Sequence, residues 1–275
     1  MSNRNAPIGI FDSGYGGLTI LKEIMKELPQ YDYIYLGDNA RAPYGNRSFD
    51  IVYEFTLQAV RYLFDQGCRL VILACNTASA KALRTIQQHD LPMIAPDRRV
   101  LGVIRPTVER LGDISNNGRI GIFGTPGTIM SHSYEMEIAK LFPDFVTTGV
   151  GCPMWVPLVE NNEADRPGAD YFVKQEIDRL LDRDPEIDTI VLACTHYPHL
   201  YKKIRQYTPE HIRIVCQGEI VAESLHDYLR RHPEIESVCA KNGARTYLTT
   251  ENPEKFAEMA SLFLGEKVVA HRVEL

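Results

Sequence analysis

Two stretches, Val71-Ile72-Leu73-Ala74-Cys75-Asn76-Thr77 and Ile190-Val191-Leu192-Ala193-Cys194-Thr195-His196, carry the pattern that decides the fold. Each opens as a nearly continuous apolar run, the composition of a strand in a parallel sheet covered by helices on both faces. Each then breaks at a cysteine and enters a polar turn. The second follows the first by 119 positions. Working outward, Ile8-Gly9-Ile10-Phe11 recurs as Ile120-Gly121-Ile122-Phe123 after 112 positions. Same order and nearly equal offsets predict a duplicated unit. Short apolar runs alternating with amphipathic stretches make that unit α/β.

The chain reads as two similar parallel-sheet α/β lobes related by a pseudo-two-fold, with the active site between them. A first lobe over 1–99, to which 217–275 return, and a second over 100–216 accommodate the pattern. In the first, Ile8 to Phe11 is a strand, turned by Gly14, Gly16 and Gly17 into a helix with Leu18, Leu21, Ile24, Met25 and Leu28 at helical spacing. Tyr33 to Leu36 is a strand, Arg41 to Arg47 a loop, and Ser48 caps a helix that stops at Gly67. Val100 to Ile104 and Arg119 to Phe123 open the second round as strands. Val146 to Val150 leads into Gly151-Cys152-Pro153, Tyr171 to Leu181 is a helix, and Ile212 to Val215 is a strand. Helices over Ala222 to Arg230 and Phe256 to Leu264 follow. Ligands of open α/β sheets sit beyond the carboxyl ends of strands. The two cysteine turns therefore mark the site.

Composition narrows the function classes. The 275 residues are 44% hydrophobic and 24% charged, within the globular range. A net charge of -6 argues against a nucleic-acid partner. The start MSNRNAPIGIF has no basic segment leading into an apolar one, and no apolar run reaches a spanning length, so a cytoplasmic protein without a membrane partner is expected. The 6 cysteines include no CxxC pair, which disfavours zinc and redox sites.

A single cysteine after Leu-Ala is ordinarily a packing residue. Two in matched positions, Cys75 and Cys194, make a candidate acid–base pair. A thiol beside a helix start is expected to have a lowered pKa. A matched pair suits inversion at a carbon, one group removing a proton as the other delivers one. Asp12 ends the first strand, either as a turn former or as a carboxylate beside Cys75 that takes a proton or steers an ammonium. His196, two residues from Cys194, is a candidate thiol partner. Glu160 alone reads as a solvated residue. Ser13, Asn76, Thr77 and Thr195 sit where helices start and can donate to carboxylates; Thr125 and Thr128 hold the corresponding turn of the second lobe. Tyr44-Gly45 can supply backbone N–H groups, or be a surface turn.

Four segments together resemble the glutamate racemase family, within the cofactor-independent aspartate and glutamate racemases. They are Ile10-Phe11-Asp12-Ser13-Gly14-x-Gly16-Gly17, Asp38 with Pro43-Tyr44-Gly45, Ala74-Cys75-Asn76-Thr77-Ala78-Ser79-Ala80, and Ala193-Cys194-Thr195-His196-Tyr197-Pro198. The resemblance implies interconversion of L- and D-glutamate for peptidoglycan synthesis, by a homodimer without pyridoxal phosphate or metal. It places Cys75 and Cys194 as the catalytic thiols and Asp12, Glu160 and His196 as assisting groups. Asp12-Ser13, Tyr44-Gly45, Asn76-Thr77 and Thr195-His196 become substrate contacts. The chain departs from the family at Arg99 to Pro106 and at Gln217-Gly218-Glu219.

Other readings remain open. A different amino acid, aspartate first, would keep both cysteines and change only the pocket depth. A non-catalytic amino-acid-binding protein on the same lobes would tolerate loss of a cysteine or of His196. Nucleotide binding at Gly14-x-Gly16 would want a third glycine where Thr19 stands.

Overall fold

In the computed structural model, which describes residues 5–275, the apolar runs pair as parallel strands in two sheets. The strands are β1 (Ile8–Asp12), β2 (Tyr33–Gly37), β3 (Leu70–Leu73), β4 (Arg99–Gly102), β5 (Arg119–Gly124), β6 (Val146–Gly151), β7 (Thr189–Ala193), β8 (Arg213–Val215), β9 (Arg245–Thr249) and β10 (Ala270–Arg272). One sheet runs β10-β9-β2-β1-β3-β4 and the other β6-β5-β7-β8. The order β2-β1-β3-β4 is thus repeated by β6-β5-β7-β8. The repeated segments occupy equivalent places, with Phe11 opposite Leu73 in the first sheet and Phe123 opposite Leu192 in the second. Repeated sequence has become repeated topology.

Local signals set the helices. Leu18–Glu27 buries Leu18, Ile20, Leu21 and Ile24 on one face, each side chain contributing roughly 1.5–3 kcal/mol of transfer free energy. Helix Gly218–Arg231 covers it from outside, presenting Val221, Ala222, Leu225 and Leu229. Helix Phe49–Asp65 starts where Ser48 Oγ accepts the Ile51 N–H at 3.4 Å. It ends just before Gly67, whose φ of +93° favours glycine. Among the described residues no helix is long and apolar enough to cross a membrane.

Two readings of the sequence need correction. The strand expected over Val100 to Ile104 as the opening of the second round runs instead over Arg99–Gly102, with Ile104 beginning a helix, and it pairs with β3 to form an edge of the first sheet. The helical segments between Asn76 and Ile94 make an ordinary crossover that returns the chain beside β3. An apolar run states that it is a strand but not which sheet it joins. Strands β9 and β10 had no counterpart in the sequence reading; Tyr247 and Leu248 are the only large apolar residues of β9, and β10 lies exposed at the edge.

The two sheets share one apolar cluster. Leu18, Ile72 and Ala74 on the first side join Phe123, Trp155 and Leu192 on the second. That continuity holds the carboxyl ends of β1, β3, β5 and β7 around one space.

Candidate active site

A cavity of about 240 Å³ opens between those strand ends. Ser13, Cys75, Asn76 and Thr77 line it from the first sheet. Thr125, Cys152, Glu160, Cys194, Thr195 and His196 line it from the second, and the loop Ala42–Asn46 forms a further wall. Most of the residues singled out in the sequence therefore share one compartment. Two do not reach its wall: Asp12 and Thr128 lie behind it, each 1% exposed.

Cys75 caps the helix Asn76–Lys81, its sulfur accepting the Ala78 N–H at 3.5 Å and lying 3.5 Å from Ser13 Oγ. The expected lowering of its pKa does not occur. Burial pushes the Cys75 thiol up to about 12, and the neighbouring Asp12 charge adds to the rise. Hydrogen bonds from Ser13 and Ala78 oppose this and are outweighed. Desolvation of a thiolate exceeds what one short helical turn returns. At neutral pH Cys75 is therefore held as a thiol.

Cys194 has a different surrounding. No helix starts at its sulfur; a bend leads to the 3-10 turn Tyr197–Leu200. Its neighbour is the His196 imidazole, with Nδ1 4.0 Å from Sγ. His196 Nε2 donates to Glu160 Oε1 at 3.0 Å. Burial alone would depress the imidazolium, but the hydrogen bonds to Cys194 and Glu160 prevail and hold its pKa up at about 10. Glu160 is brought there by the helix Trp155–Glu160. Trp155 at its start is wedged between the rings of Phe123 and Tyr197, both at 4.9 Å. Gly16 closes the same corner: a Cβ there would lie 2.2 Å from Thr195 Oγ1 and 2.4 Å from His196 Nδ1. Only glycine lets the first sheet's turn approach Thr195 and His196 of the second sheet so closely.

Asp12 accepts the Gly14 N–H at 2.8 Å and faces the Thr195 hydroxyl at 3.4 Å. Burial raises its pKa, against the lowering pull of His196 and of hydrogen bonds from Gly14, Gly17 and Thr195. Thr77, Thr125 and Thr128 form a hydroxyl triangle, at 2.9, 3.3 and 3.0 Å, that joins the two sheets. Within it Thr128 backs the two threonines that reach the cavity. Tyr44 reaches the wall by its body only, because its hydroxyl donates to Asp38. Gly45 binds across the gap, its carbonyl accepting the Gly127 N–H at 2.8 Å.

Sequence reasoning passed over Cys152, Pro153, Val156 and Pro157, which also line the cavity. The signal was present: Gly151-Cys152-Pro153 is a strand-end turn of the duplicated unit. Among the described residues no group of three or more His, Cys, Asp or Glu could hold a metal ion.

Fold and site together define a two-lobed parallel α/β protein with a small polar cavity between cysteine-bearing strand ends. Residues 18–225 match the model of the Asp/Glu/Hydantoin racemase family. The chain is 38% identical over 271 residues to the glutamate racemase of Roseobacter denitrificans, covering 95% of this chain and 97% of that one. Its structure superposes on a glutamate racemase isoform of Bacillus anthracis with a TM-score of 0.90 at 32% identity, over 99% and 98% of the two chains. The glutamate racemase of Francisella tularensis, solved in complex with D-glutamate, gives 0.87 at 29% identity over 98% of each. The chain belongs to the Asp/Glu/Hydantoin racemase family and is an isomerase of the racemase class.

Proposed function

We propose that the chain interconverts L- and D-glutamate, with Cys75 and Cys194 exchanging the Cα proton across the substrate. The observation that carries the reading is that both sulfurs line one cavity, reached from different sheets and served by separate partners. One cysteine, as thiolate, takes the Cα proton; the electron pair left behind delocalises into the α-carboxylate. The other, as thiol, returns a proton to the opposite face. Each turnover leaves the two protonation states exchanged, and proton exchange with water resets them. Hydroxyl and amide donors at Asn76, Thr77, Thr125 and Thr195 suit the substrate carboxylates, which gain charge in the transition state. Neither step needs a prosthetic group, so the reading includes independence from cofactors. Named relatives at 38% identity over nearly the whole chain support glutamate as the substrate. A cytoplasmic homodimer supplying D-glutamate to peptidoglycan follows from the same family reading.

The test is to incubate purified protein with L-glutamate, and separately with L-aspartate, without added cofactor, and resolve the enantiomers. D-glutamate forming well ahead of D-aspartate is the expected result. Faster racemisation of aspartate, or turnover only after pyridoxal phosphate is added, would contradict it.

A further inference from the structure

Behind the Cys75 turn lies a closed ring of three buried side chains, two of which, Gln217 and Tyr134, have no part in the proposed mechanism. Asn76 Nδ2 donates to Gln217 Oε1 at 2.6 Å, Gln217 Nε2 donates to the Tyr134 hydroxyl at 2.8 Å, and that hydroxyl donates to Asn76 Oδ1 at 2.7 Å. Gln217 Nε2 also donates to Thr107 Oγ1 at 2.9 Å and approaches the Val103 carbonyl at 3.4 Å. Gln217 is 2% exposed, Asn76 3% and Tyr134 1%.

The direction of this ring is fixed. Turning the Gln217 amide over would bring Oε1 against the Val103 carbonyl, two acceptors face to face. With Nε2 held toward Val103 and Thr107, Oε1 must take the Asn76 amide, and the single hydroxyl proton of Tyr134 must go to Asn76 Oδ1. Both ends of the Asn76 side chain are thereby engaged. The ring members come from separate parts of the fold. Asn76 opens the helix capped by Cys75, and Tyr134 belongs to the helix Ser133–Leu141 that follows β5. Val103 and Thr107 lie where the chain leaves the first sheet, and Gln217 where it comes back after β8. One glutamine ties both crossings between the sheets to the residue that follows Cys75.

We infer that Gln217 is a positioning residue for the Cys75 thiol, acting through Asn76 as a clasp between the two crossings. It does not touch the cavity. The clasp sets the first turn of the Asn76–Lys81 helix, and with it the Ala78 N–H that points at Cys75 Sγ. Cys194 stands outside the clasp, since its partners come from His196 and Glu160. Loosening it therefore slows proton transfer through Cys75 selectively.

The inference rests on the two-thiol reading, and the experiment separates the two. Gln217→Leu and Tyr134→Phe are each assayed with Cα-deuterated L-glutamate and Cα-deuterated D-glutamate, beside the native enzyme. Turnover should fall about tenfold or more in Gln217→Leu, the scale set by losing a partner from a buried network. The primary isotope effects on kcat/KM should diverge, rising for the enantiomer whose hydrogen Cys75 removes and falling for the other. Tyr134→Phe, which loses one hydroxyl, should show the same divergence more weakly and guards against a folding defect in the first variant. Isotope effects that stay as in the native enzyme, or move together in both variants, would overturn the inference while the two-thiol reading stands. Product enantiomer that keeps the substrate's deuterium in the native enzyme would remove both.

Discussion

The Glu160 carboxylate accepts a hydrogen bond from His196 Nε2 at 3.0 Å, while the other ring nitrogen faces the Cys194 sulfur. A buried imidazole is thereby kept cationic through neutral pH. The folded-state pKa of about 10 stands above the ordinary 6.5. Its contribution to stability is thus complete below about 6.5, shrinks above that, and is lost as pH rises through about 10. Glu160→Gln removes one of the groups that raise it. The melting temperature of the native protein should exceed that of Glu160→Gln most near pH 6, and the gap should close toward pH 10. A gap that is constant with pH would contradict the assignment.

Cys75 behaves in the opposite sense, as a thiol held neutral. In the ligand-free enzyme its alkylation by iodoacetamide should be slow at pH 7 and climb as pH approaches its raised value of about 12. Burial is the larger cause of that rise and the Asp12 charge the next. Asp12→Asn should therefore speed alkylation of Cys75 while slowing racemisation. Mass spectrometry of the Cys75 peptide gives the rate, and unchanged alkylation in Asp12→Asn would remove Asp12 from the thiol's surroundings.

Lys81 supports the loop wall. Its ammonium donates to the Arg47 carbonyl at 2.7 Å, and Gly127 leaves it room, since a Cβ there would come within 2.9 Å of Nζ. A hydrogen bond from a charged donor contributes about 1.5–3 kcal/mol. Lys81→Met should release the Tyr44-Gly45 wall and raise KM for glutamate about tenfold, with kcat changing less. Steady-state kinetics in both directions decide it; a fall confined to kcat would contradict a role in holding the wall.

Cys75→Ala and Cys194→Ala should each lower racemisation by about 10²–10⁴-fold, the scale of losing a general acid or base. Both should keep the native circular dichroism spectrum. Cys75→Ala should also lose about 1 kcal/mol of stability with its helix cap. A near-native rate in either variant would take that residue out of the mechanism.

Much of this was legible in the sequence because duplication leaves a double imprint. Matched strands put Cys75 and Cys194 at equivalent ends, and glycines at 14, 16 and 17 marked the first turn. Ser48 and Gly67 bounded a helix through capping chemistry that depends only on neighbours. What stayed hidden depends on distant contacts. The sheet joined by Arg99–Gly102 is set by pairing with β3. The Cys75 pKa depends on burial and on Asp12, neither visible from the residues beside it. Glu160 acquires its place only when Trp155 is gripped by Phe123 and Tyr197. Gln217 stood out in the sequence as a departure, yet its partners lie 141, 110 and 83 positions away.

In the proposed reaction two different thiols serve the two faces of the same carbon. Initial-rate racemisation of unlabelled L-glutamate in D₂O, with both enantiomers recovered at low conversion, separates this from a single shuttling group. Deuterium is expected at Cα in nearly all of the D-glutamate, because its hydrogen comes from a thiol equilibrated with solvent, and little is expected in the recovered L-glutamate. D-glutamate that keeps the substrate's own hydrogen would show one group carrying the proton from face to face and would contradict exchange between two thiols.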